Sequence, residues 1–127
     1  MKLITLYRPV GQKELDLIKT SGYKSFPPRL SWQPIFYPVL DYDYACTIAR
    51  EWNTNDDAND NVGYVTSFDI PMDYFNLFEV QNVGAHNHNE LWVKAEELEH
   101  FNSRIIGGIK VVKAFYGEKF DEEKLYK

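Results

Sequence analysis

The alternation of apolar and polar residues predicts a β-strand at the start of the chain. In residues 3–8 (LITLYR), Leu6 and Arg8 share one face of such a strand, and Tyr7 lies on the other. Arg8 is therefore the polar end of an otherwise apolar face.

Two segments show the spacing of amphipathic helices. Residues 12–21 (QKELDLIKTS) predict a short helix that ends at Gly22, and Asp41 is a suitable N-cap for a second helix over 42–52. In the first helix we expect Leu15 and Ile18 to face the core. The second helix has a predicted buried stripe at Tyr42, Ala45, Ile48, Ala49 and Trp52.

The segment between these helices is rich in proline. Residues 25–38 hold four of the six prolines, which excludes a helix and disfavours a central strand. We expect an aromatic-rich loop with a brief extended piece at 35–37.

The second half of the chain predicts mostly strands. Extended segments are expected at 63–70, 77–83, 89–93 and 105–115, the last with a bend at its Gly-Gly pair, and a short helix at 94–102 is expected to pack Ala95, Leu98 and Phe101. This order favours an α+β fold with a split mixed or antiparallel sheet and two to three short helices. One domain is expected over residues 1–116, followed by a charged tail at 117–127 that we expect to fray.

Charge and composition narrow the functional classes. The net charge of -5 and the lack of a basic run argue against nucleic-acid binding as a function. The single cysteine, Cys46, favours a reducing compartment. The apolar stretch at 3–7 is too short for a signal peptide, and no segment approaches the roughly 20 apolar residues that cross a membrane. We therefore expect a cytoplasmic protein without membrane partners.

The segment HNHNE at 86–90 is one candidate for chemistry. If it is a strand, His86, His88 and Glu90 share a face, and two histidines at this spacing can share a metal ion. The outer members are about 13 Å apart on a straight strand, which is too far for one ion. A metal-dependent enzyme centred on these three residues is one alternative, and a polar loop is the other; no metal is assigned.

Glu90 is also a candidate by itself, because it opens the apolar segment ELWV. A partly desolvated carboxylate there could orient a hydroxyl or stabilise developing positive charge, whereas taken by itself the residue is better explained as an exposed edge glutamate. A second set comprises Arg8, Phe36, Tyr37 and Tyr44. One cation for a phosphate or hydroxyl and several rings for a flat heterocycle are the minimum that a nucleotide-type ligand needs.

Taken in order along residues 3–116, these parts resemble the ADP-ribosyltransferase-like superfamily, on its diphtheria-toxin and poly-ADP-ribose-polymerase side. The chain looks most like small bacterial proteins of this superfamily labelled "ADP-ribosylation". The segments that carry the resemblance are LYR (6–8), ELDLIKTSG (14–22), FYPVLDYDYACTIA (36–49), VGYVTSFDI (62–70) and NELWV (89–93).

The resemblance implies NAD-dependent ADP-ribosyl transfer, with a protein as one acceptor, or NAD glycohydrolysis. By analogy, Arg8 holds the ribose or phosphate of NAD, Tyr37 stacks on the nicotinamide and Tyr44 covers its other face. Glu90 bonds the ribose hydroxyl and stabilises the oxocarbenium-like transition state. The further cofactor-binding candidates are Phe36, Thr66 and His88.

Two prolines depart from the family pattern. Pro9 has no N–H where relatives with a His-Gly step grip the carboxamide through the backbone, and Pro38 restricts the chain next to Tyr37. A catalytically inactive nucleotide- or protein-binding module of the same fold is therefore the second interpretation.

Overall fold

The computed structural model describes residues 1–123, in which four helices accompany seven strands and every strand pair is antiparallel. The strands are β1 Leu3–Val10, β2 Ile35–Phe36, β3 Val62–Pro71, β4 Gln81–Asn82, β5 Asn89–Glu90, β6 Val93–Lys94 and β7 Ile106–Tyr116. The helices are α1 Gln12–Thr20, α2 Tyr42–Glu51, α3 Met72–Phe75 and α4 Leu98–Ser103. The predicted α+β class is confirmed.

The main sheet has the order β1-β3-β7, so β3 is the central strand. Both faces of β3 are covered, and its side chains are almost all buried instead of alternating. Arg8 of β1 pairs with Thr66 of β3 in this sheet.

A second antiparallel ladder joins residues 34–40 to residues 89–95 in one constant register. Its pairs include Phe36 with Val93 and Val39 with Glu90. Val39 also exchanges two backbone hydrogen bonds with Tyr7 of β1, at 2.9 and 2.7 Å. The proline-rich segment thus connects the main sheet to the strands that carry Glu90.

Side chains on the two faces of these ladders pack into separate cores. The larger core lies on the α1 side and includes Leu6, Leu15, Ile18, Phe26, Phe36, Phe68, Leu91 and Phe101. The smaller core lies under α2 and contains Val39, Ala45, Cys46, Ala49 and Val65. We call them the α1 core and the α2 core.

The first two helices follow their predicted boundaries closely. Leu15 and Ile18 are buried, Gly22 adopts a left-handed φ of 76° after α1, and the Asp41 side chain accepts a hydrogen bond from the Tyr44 backbone N–H at 2.9 Å. The predicted stripe on α2 is wrong at its ends, since Tyr42 is exposed and Trp52 is 72% exposed. Trp52 follows the last residue of α2 and projects into a surface groove.

The prediction of a strand over 77–83 is wrong except at 81–82, which form β4. Helical turns continue past α3, because the backbone N–H groups of Leu77 and Phe78 donate to carbonyls three residues earlier. The ring of Phe78 packs on Tyr74 at 5.2 Å and on Phe101 at 6.2 Å, which holds this turn against the α1 core.

The late helix and the last strand agree with their predictions. Leu98 and Phe101 of α4 are buried, and Ala95 is half-buried. The expected bend in β7 falls at Gly107 and Gly108, whose φ angles of 81° and 82° suit glycine.

The first residues of the predicted tail make contacts with the domain. The Gly117 N–H donates to the Asn61 carbonyl at 2.8 Å, and the Phe120 ring packs on Tyr116 at 4.7 Å. The end of the predicted tail, at 124–127, lies outside the described residues. Within residues 1–123, the helices are all too short or too polar to cross a membrane.

Candidate functional site

Glu90 is a buried carboxylate with one short hydrogen bond and one long one. It is 8% exposed, and its Oε1 accepts a hydrogen bond of 2.7 Å from the indole Nε1 of Trp92. The Tyr44 hydroxyl donates to Oε2 at 3.5 Å. Glu90 and Trp92 lie two residues apart in an extended segment, so both side chains project from one face. The interpretation of Glu90 as an exposed edge residue is wrong.

Tyr44 and His88 form the wall beside this carboxylate. Their rings stack at a centroid distance of 4.2 Å and an interplanar angle of 14°. Burial raises the pKa of the Tyr44 phenol, and the nearby Glu90 carboxylate raises it further. The phenol therefore keeps its proton, and with it the ability to donate to Glu90, above the ordinary tyrosine range.

The free energy of unfolding should fall as the pH rises above about 10, the ordinary pKa of tyrosine. Burial raises the pKa values of Tyr44, Tyr64 and Tyr74, so the unfolded chain loses these phenolic protons first. The three phenols make their full contribution to the free energy of unfolding below about pH 10, the ordinary pKa of tyrosine. This contribution is lost as the pH rises through their higher pKa values in the folded protein. Urea unfolding between pH 8 and 11 measures the slope, and Y44F should make it shallower. An equal slope in wild type and Y44F would contradict this assignment.

Arg8 lies in a different environment, in a bidentate ion pair with Glu14 of α1. Its Nε is 2.7 Å from Oε2 and its Nη2 is 2.9 Å from Oε1 of Glu14. The guanidinium carbon also lies 4.7 Å from the ring centroid of Phe36 and 5.5 Å from that of Tyr37. Burial lowers the pKa of Arg8, but the charge and hydrogen bonds of Glu14 outweigh it and raise the pKa overall. Arg8 is 6% exposed and permanently charged.

Arg8 and Glu90 project to opposite faces of the connected ladders. Residues paired directly across antiparallel strands share a face, so Tyr7, Val39 and Glu90 all face the α2 core. Arg8 follows Tyr7 along β1 and faces the α1 core instead. Tyr37 lies between the two groups: it contacts Arg8, and it also contributes to the raised pKa of Tyr44.

Two of the predicted cofactor-binding residues lie in the interior. Phe36 is packed between the rings of Phe26 and Phe101, at 5.0 and 5.7 Å. Thr66 is fully buried, and its hydroxyl donates to the backbone carbonyl of Arg8 at 2.8 Å. Phe36 and Thr66 therefore contact Arg8 inside the core, and neither side chain is accessible to a ligand.

The segment that suggested a metal site is a turn. The His88 N–H donates to the Ala85 carbonyl at 2.9 Å, which closes a turn around His86 instead of a strand. The premise that His86, His88 and Glu90 share a strand face is therefore wrong. Residues 1–123 contain no group of three His, Cys, Asp or Glu side chains placed to hold one metal ion.

A groove of about 660 Å³ opens beside Arg8 and Tyr37, between α1 and the proline-rich loop. Its lining also includes Lys13, Arg29 and Trp52, none of which was predicted to bind a ligand, and Trp52 was expected in the core. The pattern PPRL at 27–30 places an arginine in a loop that prolines restrict, and that was the available signal. We call this cavity the Arg29 groove.

Glu14 is the other residue that the sequence reasoning missed. The available signal was an acidic residue in the first turn of a helix that directly follows a strand ending in arginine.

Comparison with known proteins identifies no relative of this chain. No family model, no curated protein and no solved structure matches the chain. A function can therefore be argued only from the residues of this chain and from the resemblance of its motifs.

Proposed function

We propose that the protein is an NAD-dependent ADP-ribosyltransferase or NAD glycohydrolase in which Glu90 stabilises the transition state. The observation that carries the proposal is a carboxylate, 8% exposed, that is held by the indole N–H of Trp92 at 2.7 Å, with the Tyr44 hydroxyl 3.5 Å from its other oxygen. Such a carboxylate is already oriented before the substrate arrives, so little reorganisation is needed as charge develops.

The reaction depends on the orientation of NAD and on the stabilisation of positive charge more than on a strong base. The bond between the ribose C1′ and the nicotinamide nitrogen breaks, and its electron pair leaves with nicotinamide. Positive charge then develops on the ribose, where the negative Glu90 side chain stabilises it. Water or an acceptor nucleophile forms the new bond at C1′ and releases a proton to solvent.

The aromatic residues around Glu90 supply the surface for the nicotinamide. Tyr37 is 42% exposed, which leaves part of its ring open for stacking. Tyr44 is already stacked on His88, so in this proposal it presents its hydroxyl and one ring edge to the ligand.

Arg8 is a positioning residue in this proposal. Its donors face Glu14, and its guanidinium lies against the ring of Tyr37. Arg8 thus sets the angle of the stacking ring, and a direct contact of Arg8 with NAD would first require release of Glu14.

Replacing Glu90 with glutamine should reduce nicotinamide release from NAD by about 10²–10³-fold, because the amide keeps the shape but loses the negative charge. The matched control is Glu96→Gln, which removes an exposed carboxylate from the short turn before α4. Nicotinamide is quantified by chromatography at saturating NAD, and the melting temperature reports folding. Wild-type turnover in a folded E90Q variant would contradict the proposal.

A second function, nucleotide or protein binding without turnover, is favoured by the Arg8–Glu14 pair and by Pro9. The pair neutralises the cation that a phosphate would use, and Pro9 offers no backbone N–H to a carboxamide. In that case NAD or a related nucleotide raises the melting temperature equally in wild type and E90Q, and neither protein releases nicotinamide.

A further inference from the structure

The charge of the Arg29 groove is opposite to that of the whole chain. Its charged lining residues are Arg8, Lys13, Arg29 and Glu14, which together give +2, whereas the chain carries -5. The ion pair with Glu14 neutralises Arg8. The excess positive charge therefore belongs to Lys13 and Arg29.

Of these two cations, Arg29 is half-buried and Lys13 is exposed. The Nε of Arg29 donates to the Ile35 carbonyl at 3.0 Å, and within residues 1–123 no carboxylate forms an ion pair with this arginine. Its guanidinium carbon lies 5.9 Å from the centroid of Tyr37. Burial lowers the pKa of Arg29 and the positive charge of Arg8 lowers it further, and the charges of Glu14 and Tyr37 offset only part of this effect. An anion bound here would relieve this repulsion and satisfy the terminal donors of the guanidinium.

The remaining walls of the groove are apolar and aromatic. Leu17, Leu30 and Trp52 are exposed, and they line the concave surface together with Pro27 and Pro28. Exposed apolar residues around a few polar groups in a cavity of this size are typical of small-molecule sites.

We propose that the Arg29 groove binds an oxyanion, phosphate or carboxylate, that is attached to a planar aromatic ring. The oxyanion pairs with the fork of Arg29 and with the ammonium of Lys13, and the ring packs between Tyr37 and Trp52. This site shares Tyr37 with the proposed NAD site but goes beyond it, because its cations, Lys13 and Arg29, and its second ring, Trp52, have no part in that reaction.

Calorimetric titration with phenyl phosphate, benzoate and benzyl alcohol tests this proposal. The three probes share a ring and differ in charge. Each anionic probe should bind about tenfold or more tightly than the neutral alcohol, and the affinity should fall as salt is added. Tighter binding of phenyl phosphate assigns a phosphate ester, and tighter binding of benzoate assigns a carboxylate. Equal binding of all three probes would overturn the proposal.

Two variants locate the binding. Arg29→Gln should weaken the preferred anion by about tenfold or more. Lys13→Gln, at an exposed position, should weaken it by a smaller factor with folding unchanged. The matched control is Arg104→Gln, which alters another half-buried arginine over a tyrosine ring, 5.4 Å from the centroid of Tyr74. Unchanged affinity in both R29Q and K13Q would overturn the assignment.

The same titration separates this site from the proposed reaction. The E90Q variant should bind the anionic probe with wild-type affinity even where its nicotinamide release is lost. Loss of probe binding in E90Q would contradict an independent groove, whereas absence of NAD turnover in wild type would leave the groove assignment intact.

Discussion

Replacing Glu14 with alanine should destabilise the protein by about 3 kcal/mol, because it leaves the Arg8 guanidinium buried without its partner. Arg8 is 6% exposed, and both of its hydrogen-bonded nitrogens face Glu14. The rings of Phe36 and Tyr37 offset part of the lost charge, which places the expected loss at the lower end for a broken buried pair. Unfolding in guanidinium chloride at pH 7 measures the change in the free energy of unfolding.

The exposed ion pair between Arg50 and Glu51 provides a matched control. Its atoms are 3.9 Å apart and its side chains are 56% and 59% exposed, so Glu51→Ala should change the stability by no more than about 0.5 kcal/mol. Arg8→Met combined with Glu14→Leu should recover most of the loss of E14A, since no unpaired charge remains. Equal stability of E14A and E51A would contradict the assigned burial of Arg8.

Replacing Phe101 with alanine should destabilise the protein by about 3–5 kcal/mol, because it empties the centre of the α1 core. The Phe101 ring is fully buried. Its neighbours within about 6 Å are the rings of Phe36, Phe68, Tyr74 and Phe78. Loss of these contacts should also loosen the helical turn at 74–78, because Tyr74 and Phe78 both pack on Phe101.

The stability of F101A is compared with that of Leu77→Ala. Leu77 is exposed in the neighbouring turn, so its truncation should cost no more than about 0.5 kcal/mol. Phe101→Leu should fall between the two variants because it keeps part of the buried volume. A loss below about 1 kcal/mol in F101A would mean that this core is arranged differently.

The sequence predicted correctly those elements whose pattern of apolar, capping and glycine residues fits only one type of secondary structure. The alternation that ends at Arg8, the N-cap at Asp41 and the glycine bend in β7 are features of short segments, and all three are present. The segment 77–83 alternates as well, yet packing of Phe78 on Phe101 favours helical turns there. Tertiary contacts between distant residues override a local pattern of this kind.

The candidate site depends more strongly on long-range contacts. Glu90 was identified from its place in an apolar segment, but its burial depends on Trp92 and on Tyr44 from α2. Arg8 lies on β1 and its partner Glu14 lies on α1. Helical and strand periodicities describe contacts within one element, so neither predicts this ion pair. The opposite orientations of Arg8 and Glu90 follow from the pairing of Val39 with Tyr7, which a single sequence does not reveal.

The most direct test of the proposed function is thermal unfolding of the wild-type protein with and without millimolar NAD, with free nicotinamide measured in the same tube. A ligand at 100 times its dissociation constant adds about 2.7 kcal/mol, which raises the melting temperature by several degrees for a domain of this size. The proposal predicts both a higher melting temperature and released nicotinamide. An unchanged melting temperature without released nicotinamide would contradict it.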